Sequence, residues 1–381
     1  MKKFSNYIER NKSVITGKEN LEHLYTIKDF PVFFGCVNTP KEDDIMADME
    51  WAIDPETGVM QLTKLIPQSI LYKEQHVDGC GPTWEKYYDV FSGYIVEQDI
   101  KSVLEVGGGG GQIADRVIKK SSDITWTIVE PNPIHKGNKR VKIVSSLFNK
   151  NLKLDYKVDA IVMSQSLEHM YEPREFLDEI ASFLKPGGKL IIAYPNLELW
   201  LRNKFTNSIN FEHTMLLTDK HLDYMFPEHG FNILNKKEYE DHSFFYTAEK
   251  VEGKTLKSNR FNMYNEYKKI FMDFVNYHLN MVKELNEKIE ASPEPVYLFG
   301  AHIFSTYLIS FGLNTEKIEK IVLDNSETKK GKRLYTTDFI ADSPKILKDK
   351  GKVNVILKAG VHNEGIMKDI LENINNEVVF W

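Results

Sequence analysis

"SVLEVGGGGGQIADR", residues 102–116, decides the fold. A short β-branched run stops at five consecutive glycines, and a helix-like pattern follows. Glycine after a strand removes Cβ atoms, so a ligand can rest against the backbone at the carboxyl edge of a sheet. Outward from this stretch, short apolar runs alternate with helix-length segments, the mark of βαβ units. Strands are predicted at Ser102–Val106, Thr125–Glu130, Val141–Ser145, Asp159–Gln165 and Lys189–Tyr194. Between the last two, "EPREFLDEIASFLKPGG" reads as an amphipathic helix. Phe176, Ile180 and Leu184 share one face, and Pro186-Gly187-Gly188 ends it. Two further strands follow, near Phe231–Tyr239 and Phe244–Glu249.

The flanks differ from this core. Residues before about 90 show weak periodicity and turn signals such as "DPETG". Residues 260–290 form one long helical pattern with a stripe of Phe271, Phe274, Val275, His278, Leu279, Val282 and Leu285. After "SPEP", a second, smaller strand–helix alternation runs to a strand at Val378–Trp381. With 381 residues the chain exceeds one ordinary core. The predicted division is 1–84, 85–255 and 256–381. A net charge of −6, without a basic block, argues against nucleic acid as a partner. No apolar run is long enough to span a bilayer, and the first residues lack the apolar core of a signal peptide, so no membrane partner and a cytoplasmic location are expected. Two cysteines, Cys36 and Cys80, make neither a disulfide framework nor a four-thiolate zinc site.

The glycine run parses in two ways. Gly109-x-Gly111-x-x-Ala114 fits a dinucleotide fingerprint; Glu105-x-Gly107-x-Gly109-x-Gly111 fits a loop for S-adenosylmethionine. Glu130 would meet ribose hydroxyls in both. Glu105 separates them, because its carboxylate would be repelled by a pyrophosphate and attracted by the methionine ammonium.

Residues 159–196, "DAIVMSQSLEHMYEPREFLDEIASFLKPGGKLIIAYPN", resemble the matching stretch of class I S-adenosylmethionine-dependent methyltransferases. The resemblance implies a Rossmann-like, seven-stranded α/β core with S-adenosylmethionine as cofactor. By position, Gly107 and Gly109 would pass the methionine portion and Glu130 would hold the ribose. Ser146 and Leu147 would flank adenine, and Gln165 would sit near the sulfur. His169 in "LEH" is assigned to capping or packing.

Residues 209–250 resemble the sugar C-methyltransferases that act on nucleotide-linked keto sugars, through Glu212-His213, His229-Gly230 and His242. The carboxyl-terminal unit resembles that family's third domain through Gly300-Ala301, Asp324-Asn325 and Lys329-x-Gly331. The resemblance implies a nucleotide-activated sugar as the small-molecule partner, and His213, paired with Glu212, as the base that removes the acceptor proton. Departures are visible. Asp54 and Thr57 stand where the family's zinc domain carries cysteines, so no metal is expected. His76 and Asn210 replace tyrosines, which makes His76 a second candidate base and puts Asn210, with His242, at the substrate. Tyr335-Thr336-Thr337 replaces Pro-Gly-Thr. An O- or N-methyltransferase of a cell-surface carbohydrate, phosphorylated intermediate or secondary metabolite is the alternative. An NAD-dependent oxidoreductase and a silent binding module are the readings from other classes. A monomer or homodimer is expected.

Overall fold

The computed structural model describes residues 1–73, 81–154, 156–252 and 261–381; His76 and Cys80 lie outside them. The predicted strands form one seven-stranded sheet: β1 (Ser102–Val106), β2 (Thr125–Val129), β3 (Val141–Val144), β4 (Ala160–Ser164), β5 (Lys189–Pro195), β6 (Phe231–Tyr239) and β7 (Ser243–Lys250). Their spatial order is β3-β2-β1-β4-β5-β7-β6. β1 to β5 are parallel, and β7 is antiparallel to both its neighbours. The order reverses between β1 and β4, where a parallel sheet opens a crevice at its carboxyl edge.

Both faces of this sheet are covered, which is why its strands read as unbroken apolar runs rather than alternating ones. On one face α1 (Pro82–Val96) and α2 (Gln112–Lys120) bury Tyr87, Phe91, Ile113 and Val117 against Val103, Trp126 and Ile191. On the other, α3 (Pro173–Phe183) and α4 (Asp219–Glu228) bury Phe176, Leu177, Ile180 and Phe226 against Leu104, Ile161 and Leu190.

The amino-terminal region builds its own antiparallel sheet around Ile45–Ile53, flanked by Glu22–Pro31 and Met60–Leu62. Met60–Leu62 then takes a further strand from the core segment, Met215–Leu216. The carboxyl-terminal sheet likewise crosses the expected boundaries, because Cys36–Val37 pairs with Arg333–Leu334 at its edge. Arg333 closes that seam with a partly buried ion pair to Asp44 at 2.6 Å. The long helix α5 (Tyr264–Ala291) buries Phe271 beside Trp51 and stacks His278 on Phe311, bridging the two outer regions. Leu279, expected in its apolar stripe, stands 37% exposed; Tyr267, Ile270 and Ile289 fill the buried face instead.

In the amino-terminal region a hydrogen-bond knot holds two loops. The Asp54 carboxylate is fully buried and accepts from Ser13 Oγ, Thr16 Oγ1 at 3.3 Å and Thr57 Oγ1 at 3.1 Å. Its other oxygen accepts from the Glu56 amide at 2.8 Å. Ser13-x-x-Thr16 and Asp54-x-x-Thr57 thus converge at the spacing of two Cys-x-x-Cys pairs, held by oxygen chemistry.

Two outcomes follow from these contacts. Asp54→Ala strands several buried donors and should lower unfolding free energy by about 2–4 kcal/mol, read by urea denaturation; an unchanged midpoint would remove the knot from the account. Burial holds His221 at about 3 and His278 at about 4. Both folded-state values lie below the unfolded one, so their contribution is complete above pH ~6.5 and is lost as pH falls toward 4, at roughly 1.4 kcal/mol per pH unit for each. Unfolding free energies measured from pH 7 to 5 should therefore fall, and His221→Asn should flatten that slope.

Candidate active site

The donor half grows from the glycine run. β1 runs into Gly107, whose φ of +82° suits glycine, and Gly111 at +70° opens α2. A Cβ on Gly108 would lie 2.2 Å from the Glu105 carboxyl carbon, and one on Gly111 would lie 2.4 Å from the His135 ring. The loop is therefore packed from below and from one side, and side chains have no room in it. Glu105 is buried, and its Oε2 accepts from the Trp126 indole at 2.7 Å. This corrects its expected role: the carboxylate braces the glycine loop from beneath instead of standing free in the crevice.

The remaining donor candidates line up along the carboxyl ends of adjacent strands. Glu130 follows β2 and accepts from the Asn132 amide at 3.0 Å. Ser146 and Leu147 follow β3, with Leu147 54% exposed, an apolar side chain held open at the sheet edge. Gln165 follows β4 in a left-handed conformation, φ +52°. Its amide donates to Ser243 Oγ at 2.8 Å and reaches the Tyr87 hydroxyl at 3.4 Å. That ties it to an aromatic group in which His242 packs 4.7 Å from Tyr87 and 5.0 Å from Trp84, ring to ring. Burial holds His242 at about 4, so it is neutral at physiological pH.

The second half lies one turn beyond Gln165. Ser166 Cβ sits 3.5 Å from where a Gly107 Cβ would be, so Leu167–His169 begins against the glycine loop. Thr214 draws the 212–214 segment alongside: its amide donates to Glu168 O at 3.0 Å and its hydroxyl to Met170 O at 2.6 Å. Arg10 locks the pair of segments, donating to the carbonyls of Leu62 at 3.0 Å, Tyr171 at 3.1 Å and Thr214. Its guanidinium, stripped of water, is held at about 10. Asn210 Oδ1 accepts from the amides of Glu212 and His213, both at 2.8 Å. The side chain expected at the substrate is thus committed to shaping the Glu-His turn.

Four ionisable side chains meet there. His213 Nδ1 lies 3.0 Å from Ser208 O. A carbonyl only accepts, so Nδ1 carries the proton; burial pushes the imidazole pKa down, which leaves Nε2 an open lone pair. His169, assigned to packing by sequence, stands at the centre. Its ring is 5.5 Å from that of His213, its Nδ1 meets Tyr72 Oη at 3.0 Å, and Glu212 Oε2 lies 3.8 Å from the same nitrogen. Glu212 thus lies beside His169 while also acting electrostatically on His213. Glu168, also missed, is 1% exposed; its Oε1 is 3.8 Å from His169 Nε2 and burial pushes its carboxyl up to about 8. The signal was present in "LEH", but Tyr72 and Ser208 come from distant segments and only folding supplies them. His229 of the His-Gly motif is bonded to Asp178 at 2.9 Å and takes no part.

Residues 82–236 match a family described as a methyltransferase domain. The chain carries a methyltransferase domain. It is similar to a ubiquinone biosynthesis O-methyltransferase of Xylella fastidiosa, 28% identical over 111 residues, covering 26% of this chain and 43% of that protein. A mitochondrial protein of the same name from Schizosaccharomyces pombe is 25% identical over 105 residues, covering 24% and 37%. The chain thus spans less than half the length of these relatives. Among solved structures, an O-methyltransferase family protein from Burkholderia thailandensis superposes at a TM-score of 0.37, with 16% identity over 45% of this chain and 57% of that one. In the methyltransferase domain, the glycine loop closed to side chains, the acidic residue after β2 and the exposed leucine after β3 all lie at the carboxyl edge of one parallel sheet. No helix among the described residues is long and apolar enough to cross a membrane.

Asn210→Ala should leave donor affinity within about twofold while turnover falls roughly tenfold through misplacement of the Glu-His turn. Calorimetry and a methyl-transfer assay would read the two separately, and an unchanged turnover would remove the positioning role.

Proposed function

We propose that the protein transfers a methyl group from S-adenosylmethionine to a small-molecule acceptor. The acceptor is activated at the Glu168–His169–Glu212–His213 cluster. The observation that carries this is the seating of that cluster one turn beyond Gln165, with Ser166 against Gly107. S-adenosylmethionine, when bound, supplies an electrophilic methyl on a sulfonium sulfur. Glu130 holds its ribose hydroxyls, Leu147 covers its adenine, and Gly107 and Gly109 let its amino-acid portion lie against the backbone. His213 Nε2 draws off the acceptor proton, with the Glu212 carboxylate supporting the positive charge that gathers among the imidazoles. Alignment and electrostatic support of the developing oxyanion carry most of the rate.

The acceptor is a sugar, activated by a nucleotide and methylated on carbon beside a carbonyl. This reading rests on Glu212-His213 and His242, and on the neutral imidazole that the Ser208 bond leaves open. Oxygen methylation is the second reading, favoured by the relatives named O-methyltransferases.

Calorimetry should find binding of S-adenosylmethionine and none of NAD, with Glu130→Ala weakening the donor about tenfold, near 1.4 kcal/mol. Methyl-labelled donor offered with nucleotide-linked keto sugars and with hydroxylated acceptors would locate the label by carbon-13 NMR. Label on a ring carbon supports the sugar reading; label on oxygen replaces it with the second; absence of donor binding sinks both.

A further inference from the structure

Three ligand-type side chains in the cluster converge more closely than proton transfer requires. One donor atom each from Glu168, His169 and His213 lies within 4.8 Å of the others. Two ligands at ~2.1 Å from one ion are at most ~4.2 Å apart, so a small swing of the carboxyl toward the rings completes the set. Glu168 supplies an independent sign. It is 1% exposed, and among the described residues its Oε2 has no hydrogen-bond partner. A buried carboxyl oxygen left without a donor costs free energy that a cation would offset.

The two imidazoles are already oriented as ligands. His213 donates Nδ1–H to Ser208 O, which aims the Nε2 lone pair away from the backbone. His169 is held at Nδ1 by Tyr72, with the Glu212 carboxylate 3.8 Å off, and its Nε2 is the nitrogen nearest Glu168. A ring nitrogen anchored to a carbonyl, hydroxyl or carboxylate while the other faces a shared point is the usual outer support of a bound metal. Two nitrogens and one carboxylate oxygen suit a borderline divalent ion such as zinc, cobalt or manganese more than magnesium or calcium.

We propose that Glu168, His169 and His213 bind one divalent transition-metal ion that takes the acceptor's oxygen at an open coordination position. The proposal rests on the methyl-transfer reading for its purpose. The expectation of no metal rested on the missing cysteine pairs, and the proposal departs from it at a site of nitrogen and oxygen ligands. With the ion seated, His213 serves as a ligand, and acidification of the acceptor replaces direct abstraction. A hydroxyl on the ion loses its proton to solvent water near neutral pH. The oxygen lone pair then forms the bond to the methyl carbon as the carbon–sulfur bond breaks, with both electrons staying on sulfur. On a keto sugar the same ion would hold the carbonyl oxygen, the proton on the adjacent carbon would pass to solvent water, and the enolate carbon would take the methyl as the carbon–sulfur bond breaks.

The test needs neither donor nor acceptor. Full-length protein treated with a chelator and dialysed is titrated with Co²⁺ and followed by visible absorption, then challenged with Zn²⁺. The expected result is one equivalent of cobalt with a spectrum of low-symmetry nitrogen and oxygen ligation, displaced by zinc, and at least tenfold weaker binding in Glu168→Gln. His213→Gln is the second variant. Circular dichroism and calorimetry with S-adenosylmethionine establish that both variants are folded. No cobalt binding, or binding unchanged in both folded variants, overturns the proposal and leaves Glu168 as a neutral buried acid. Because donor affinity is measured separately, loss of the metal site and loss of the methyltransferase reading are distinct outcomes.

Discussion

A single buried cation sets the geometry on which the acceptor side depends. Arg10 has no carboxylate within ion-pairing distance among the described residues; its partners are main-chain carbonyls of three separated segments, with the Thr214 hydroxyl at 3.4 Å. Carbonyls at Leu62, Tyr171 and Thr214 belong to the amino-terminal sheet, the turn after "LEH" and the turn after the Glu-His pair. Thr214 O already accepts from the Leu62 amide at 2.9 Å, and the guanidinium adds the bonds that set the spacing of the three segments by its own width. Thr214 repeats the tie on a smaller scale, joining Glu168 to Met170. The chemistry-bearing side chains project from these two turns and inherit their spacing.

The donor side rests on a different device. The five-glycine run is closed by Glu105 beneath, Ser166 and His135 beside it, and the 131–135 segment, whose amides at Ile134 and His135 donate to Gly109 O. The same Ser166 that limits the loop leads into Glu168 and His169. The glycine loop and the Glu-His cluster are therefore consecutive parts of one switch-point crevice at the carboxyl edge of the parallel sheet. Asn132 extends the link across the crevice, donating to Tyr72 O at 3.0 Å while Tyr72 supports His169.

The local part of this arrangement was legible in the sequence. The β-branched runs, the glycines and "LKPGG" carry their conformations in their own residues, and the seven core strands fall where periodicity puts them to within about two residues. The long helix was legible as well, apart from Leu279, which lies one residue past the stripe and rotates out. What escaped depends on side chains meeting across long separations. His169 looks like a capping histidine until Tyr72 and Glu212 arrive beside it, and Glu168 looks like a surface acid until the Arg10-tied turns enclose it. Asn210 has the residue type of a substrate contact, yet its oxygen is consumed by two adjacent amides. Glu105 was read by charge alone, whereas the Trp126 indole and the missing Cβ of Gly108 decide where it sits.

The strand Cys36–Val37 has a consequence for synthesis. Its partner Arg333–Leu334 is made long after it. Until then, the carboxyl-terminal sheet has no edge to offer, and the segment around Gly35 and Asp44 waits with its main-chain groups and a carboxylate open to water. A growing chain can complete the central sheet from nearby strands, but this seam must wait for the Asp44–Arg333 pair. Such a long-separation pairing is slow and leaves an exposed edge in the interim. The amino-terminal region thus acts as a clasp, and a ribosome stalled before residue 333 would hold the central sheet with the clasp undone.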